Sequence, residues 1–186
     1  MTNEEYFKRY NGIKSLLISA FIDALLLDVL DKYKNDKFSS YTKYPIIHIN
    51  NLIKTDLALS VWKLWLDYDK RANTFQNLNR FLRDDLGFNN TNIKKPVELK
   101  NKAVENDIIN ARKTLLAHND WNVAEFSIKT SDLASIVNYS IDTLNSLCFT
   151  DIDGRVGMIN KSSLISIQAK ETIGLATMLD HITEVN

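Results

Sequence analysis

The residues best suited to chemistry lie in Ala111-Arg112-Lys113-Thr114-Leu115-Leu116-Ala117-His118-Asn119-Asp120, where a cation precedes an imidazole by six positions. Arg112 stays charged at any physiological pH, whereas His118 can exchange a proton near neutrality. Such a pair suits the cleavage of RNA, because RNA carries its own nucleophile in the 2′-hydroxyl. A general base takes the proton from that hydroxyl, a general acid protonates the leaving 5′-oxygen, and a cation stabilises the phosphorane, so no metal is required. On an unbroken helix six residues turn about 600°, which leaves the two side chains roughly 120° apart in direction and about 9 Å apart in rise. Either the helix ends before His118, or a second copy supplies the missing partner across a two-fold axis. A helix C-terminus and the neighbouring Asp120 both favour the protonated imidazole. Spacing alone favours a plainer reading, with Arg112 in a surface ion pair and His118 as a helix-terminal residue.

The elements that must position these residues read as helices. Thr2-Asn3-Glu4-Glu5 offers an N-cap with acidic residues behind it, and apolar side chains recur at Tyr6, Tyr10, Ile13, Leu17, Ala20, Ala24, Leu27 and Leu30. This predicts a first helix near 3–33. Leu16, Phe21, Leu25 and Val29 add a second apolar line, as expected of a central helix in a bundle or of one that meets a second copy. A second helix is expected from Tyr44-Pro45 to about Asp67, with Pro in its first turn. Trp62 and Trp65 share one of its faces and read as core or dimer contacts rather than a base-stacking platform. Thr74 can cap a short helix near 75–86 that Gly87 ends. Pro96 opens a helix of about twenty residues towards His118, and Thr130-Ser131-Asp132 caps another that reaches about Cys148. Val156 to Gln168 reads as a short hairpin or extended arm, followed by a last helix over Ala169 to Val185.

Composition supports that reading and excludes others. The chain has 186 residues, of which 45% are hydrophobic, with 5 Gly and 2 Pro. Few Gly and Pro argue against a loop-rich β-sandwich or a Gly-rich nucleotide fold, and the length is enough for one full core. The expected division is a helical bundle over 1–150 and a C-terminal extension, a short extended segment plus helix, over 151–186. The formal net charge is zero, which excludes attraction to nucleic acid or membrane by bulk charge. Residues 1–100 carry 16 basic and 12 acidic side chains against 7 and 11 in 101–186, so the halves stand at +4 and −4. Lys94, Lys95, Lys100, Lys102, Arg112 and Lys113 meet only Glu98, Glu105 and Asp107 in sequence, as a solvated or an anion-binding face would.

Other chemistries lack their residues. His48, His118 and His181 are too dispersed for a local zinc motif, and no Gly-rich phosphate loop or nucleophile elbow is present. Asp151-Ile152-Asp153-Gly154 has its Gly too early for a calcium loop and reads as a turn. No metal and no cofactor is expected. Cys148 is the sole cysteine, so no internal disulfide forms. The apolar run Leu16 to Leu30 is short for a bilayer and contains Asp23 and Asp28, and the acidic amino terminus is unlike a secretory signal. The expectation is a cytoplasmic protein with no membrane partner.

Arg112-Lys113 with Ala117-His118 and Asp120, at the end of a long helix, resembles the motif of the HEPN superfamily, an Arg followed after four to six residues by His. Trp62-Lys63-Leu64-Trp65-Leu66-Asp67-Tyr68-Asp69-Lys70, then Thr74-Phe75 to Phe81-Leu82 and Lys113 to Asp120, is similar to the HEPN subfamily linked to abortive infection against phage. The resemblance spans about residues 10 to 150. It implies an all-α HEPN-like bundle that dimerises so that two motifs face each other. It further implies a metal-independent endoribonuclease, often a toxin held by an antitoxin or other neutralising protein, or else a bundle that only binds RNA, a nucleotide or a protein. Carried over, Arg112 would contact the scissile phosphate and His118 would act as acid or base, with Lys113 and Asp120 in support. At Lys113 the sequence departs from the small polar residue common after the Arg, although a lysine there still favours a phosphate.

Overall fold

The computed structural model describes residues 3–33, 40–88, 93–117, 128–147 and 157–166, together with residues 169 and 177. Among these the protein is all-helical, with no strand. Five main helices follow in order: α1 (Asn3–Tyr33), α2 (Ser40–Trp65), α3 (Phe75–Asp84), α4 (Lys102–Ala117) and α5 (Thr130–Ser146). No helix among the described residues is long and apolar enough to cross a membrane.

Helix α1 is the axis of the bundle and packs against α2, α5 and α3. Its first apolar line is buried from Tyr6 to Leu30, and in the second line Phe21 and Val29 are buried while Leu16 and Leu25 pack partly buried against the core. Both apolar sides are therefore covered within one chain, and a two-sided α1 carries no weight for a dimer. At Gly12 α1 approaches the loop after α2 so nearly that a Cβ there would collide with the side-chain amide of Asn73.

Helix α2 begins earlier than the sequence predicts. Pro45 lies in its interior and not in its first turn. At the sixth helical position Pro lacks the N–H that would bond the carbonyl four residues back, a local cost that the apolar contacts of α2 with α1, α4 and α5 outweigh. Trp65 closes α2 in the core. Its indole stacks on Phe75 at 4.4 Å, and its Nε1 donates to Ser140 Oγ at 2.8 Å, so the nitrogen's polarity is satisfied where water is excluded.

Thr74 caps α3 as its sequence position predicts, its hydroxyl accepting from Asn77 N at 3.0 Å. Gly87, at φ +73°, takes the left-handed conformation that a helix terminus favours. The helix expected to start at Pro96 starts instead at Lys102. A 3₁₀ turn, Glu98–Lys100, comes first, and Asn101 is extended with its side chain accepting from Ala103 N, so an Asn cap interrupts the helix. On α5, Thr130 is already helical and Lys129 holds the capping position without a side-chain bond, which corrects the expected cap at 130–132.

Within the C-terminal extension residues 157–160 are irregular and 161–166 form a short helix, so no hairpin forms there. Asn145 fixes this segment by exchanging two hydrogen bonds with the backbone of Ile159, at 2.8 and 3.0 Å, and Lys14 Nζ donates to Gly157 O at 2.6 Å. The helix expected over 169–185 falls almost wholly outside the described residues.

Candidate functional site

Helix α4 carries the residues that the sequence singles out. Ile108 and Ala111 point into the core at zero exposure and set the helix against α2. That register leaves Arg112 half-buried at the seam and Lys113 exposed beside it. The Arg112 guanidinium lies over the Trp62 ring, 4.3 Å from its centroid. A planar cation on an indole face is stabilised by the ring quadrupole, and stacking leaves the in-plane N–H groups free to donate. Among the described residues no carboxylate pairs with Arg112 or Lys113, so the plainer reading of Arg112 as half of a surface ion pair does not hold there.

His118 and Asp120 lie outside the described residues. The structure thus places Arg112 half-buried at the α2–α4 seam and the next residue, Lys113, in solvent, and describes α4 through Ala117. Trp62 is the partner that sequence reading missed. It packs partly buried against the core while carrying Arg112, whereas Trp65, three positions on, is wholly core. The two rings differ because only Trp62 borders the α2–α4 seam, a tertiary relation that spacing within α2 does not carry.

The rest of the basic stretch behaves differently. Glu105 accepts from Lys95 Nζ at 2.6 Å and from Lys102 Nζ at 2.7 Å, and these two bonds, that from Lys102 foremost, hold its carboxyl below the usual carboxylate range. Two ammonium groups share one carboxylate, so this cluster of three keeps a single net positive charge. Ser135 Oγ donates to Glu98, and Tyr139 donates to the carbonyl of Lys94 at 3.1 Å, which ties the segment before α4 to α5.

Away from this face, Asp23 of α1 and Asp56 of α2 stand together. Burial, and after it Asp56, push the Asp23 carboxyl up to about 6. Asp23 Oδ2 is shut off from solvent with no donor among the described groups, and a proton shared with Asp56 would satisfy it. Among the described residues no three His, Cys, Asp or Glu side chains form a group able to hold a metal ion.

The seam of α2 and α4 therefore presents a stacked guanidinium and an adjacent ammonium, groups suited to a phosphate oxygen. No protein-family model, curated protein or solved structure matches the chain.

Proposed function

We propose that this protein is a HEPN-type, metal-independent endoribonuclease of phage defence or a toxin–antitoxin pair, acting in the cytoplasm. The observation that carries the reading is Arg112, held over the Trp62 ring with no carboxylate to neutralise it among the described residues, six positions before His118. A buried or half-buried cation without a counter-ion is costly unless a ligand supplies the charge. Bound RNA would place its scissile phosphate against Arg112 and Lys113. A base takes the 2′-hydroxyl proton, the 2′-oxygen attacks phosphorus, the bond from phosphorus to the 5′-oxygen breaks, and an acid returns a proton to that oxygen. His118 takes one of those roles and its copy in a second chain the other, with Arg112 stabilising the charge of the phosphorane. Asp120 supports the imidazolium. An antitoxin or other neutralising protein would act by covering this face.

The test is cleavage of labelled single-stranded RNA in the presence of a chelator by wild type, His118→Ala and Arg112→Ala. Wild type is expected to leave 2′,3′-cyclic phosphate ends and both variants to leave the RNA intact. Equal activity in wild type and His118→Ala would sink the catalytic reading. Lys113, in place of a small polar residue, favours a second reading, a bundle that binds RNA without cutting it. That reading is preferred if wild type binds RNA in a steeply salt-dependent way and yields no products.

A further inference from the structure

The ring beside Arg112 is itself held in place. Its neighbours on α2 are core residues, Val61 and Leu64 with no exposure and Trp65 with 1%. Packing therefore fixes the backbone on both sides of Trp62, and the indole lies partly buried against the same core. On α4, Ile108 and Ala111 anchor the helix in the same way, four residues and one residue before Arg112. A cation from one fixed helix thus meets a ring from another, with the guanidinium carbon 4.3 Å from the ring centroid.

That contact differs from an ion pair in what it leaves behind. An indole face has no lone pair, so it attracts the charge of Arg112 without accepting its N–H donors as a carboxylate would. A carboxylate in the ring's place would confine the side chain and also cancel charge, as Glu105 does between Lys95 and Lys102 at 2.6 and 2.7 Å. The ring confines a long, rotamer-rich side chain and leaves its charge intact. Ordering such a side chain only when a ligand arrives lowers affinity by about two- to tenfold.

We propose that Trp62 is a positioning residue, which holds the Arg112 guanidinium ready for a phosphate oxygen of RNA and does not touch the RNA itself. The proposal rests on the RNA reading above and adds the residue that preorganises Arg112. Because Trp62 acts only through Arg112, its removal costs no affinity once Arg112 is gone. That separates this role from base stacking by the indole and from a general loosening of the bundle. The role needs a π face, so a benzene ring serves and an aliphatic side chain does not.

The test is a double-mutant cycle on the full chain, read by fluorescence anisotropy with a labelled 2′-O-methyl oligouridylate of about 12 nucleotides, whose blocked nucleophile prevents cleavage. The proteins are wild type, Trp62→Leu, Trp62→Phe, Arg112→Ala and the double variant Trp62→Leu with Arg112→Ala, each checked for helicity at the assay temperature. If Trp62→Leu does not fold, Trp62→Met takes its place in both backgrounds. Trp62→Leu is expected to weaken binding about fivefold, Trp62→Phe to bind within about twofold of wild type, and the double variant to bind within about twofold of Arg112→Ala. The proposal is overturned if Trp62→Leu binds like wild type, or if Trp62→Phe loses as much as Trp62→Leu. It is equally overturned if Trp62→Leu lowers affinity as much in the Arg112→Ala background as in wild type. Loss in Arg112→Ala without loss in Trp62→Leu removes the role of Trp62 and leaves the RNA reading standing. A wild type that does not bind, or an Arg112→Ala that binds like wild type, removes the RNA reading and this proposal with it.

Discussion

Helix α2 borders two seams whose charges are opposite and, among the described residues, without a counter-charge. Towards α1 it sets Asp56 beside Asp23, and towards α4 it sets Trp62 beneath Arg112. The two α2 residues are six positions apart, so they face about 120° apart around the helix. The contrast lies in what each charge can do about its isolation. A carboxyl without a cation takes up a proton, and Asp23 does so with a pKa near 6. A guanidinium cannot shed its proton, so it must find an aromatic face or an anion, and Arg112 has the face. Below about pH 6 the acidic seam can relieve its own charge by taking up a proton. The basic seam is relieved only in part and leaves N–H donors for something from outside. A net charge of zero conceals both.

The largest effect that would break the contrast is on activity. Arg112→Ala is expected to lower RNA cleavage about 100-fold or more with helicity and melting close to wild type. Arg112→Lys, which keeps the charge but not the planar stack, should fall between the two in the same cleavage assay. If Arg112→Lys matched wild type, the contact with Trp62 would have no part in function.

Next in size is Glu105→Gln, which tests whether the other end of α4 is held by charge. Lys102 is exposed and Lys95 partly so, and solvent screening limits the expected loss to about 1–2 kcal/mol in urea unfolding at pH 7. Because the folded-state pKa of Glu105 lies below its usual value, its stabilisation is present above the ordinary carboxylate range and is lost as pH falls through the lowered value. An unchanged unfolding midpoint in Glu105→Gln would show the two ion pairs to be surface ornaments.

Asp23→Asn sharpens the opposite seam, with the opposite sign. A folded-state pKa raised to about 6 from 3.8 means that the native protein holds a proton the unfolded chain has already lost, so this site erodes stability as pH climbs from about 4 to about 6. Asp23 is only half-buried, and screening limits the penalty above pH 6 to about 1 kcal/mol. Asp23→Asn is expected to recover that amount at pH 8 and nothing at pH 4. An equal gain at both would rule out the shared proton. The smallest effect is Lys113→Gln, which should lower the slope of log affinity for single-stranded RNA against log salt by about 0.7, one phosphate contact.

Much of the fold is legible in the sequence where the signal is local. The bounds of α1 follow from acidic first-turn residues and a sustained apolar period, and Thr74 and Gly87 bracket α3 as their chemistry requires. Reading fails where local signals compete. Pro45 suggests a first turn, but packing carries α2 past it, and Asn101 restarts a helix that Pro96 invites too early. The site is half legible. Arg112 and Lys113 stand out by type and spacing, yet the indole beneath Arg112 comes from fifty positions away, and a cation–π contact leaves no pattern in either helix alone. Asp23 with Asp56 is hidden for the same reason.

Lys14 and Asn145 hold the 157–160 segment against α1 and α5, and α1 itself is buried in part by α5. The consequence concerns synthesis. About a hundred residues separate the end of α1 from the start of α5, so at ordinary elongation rates the part of α1 that α5 covers waits roughly 5–20 s on the ribosome. That apolar side is an adhesive surface for the interval, and the demand for chaperones in producing this chain should fall on α1.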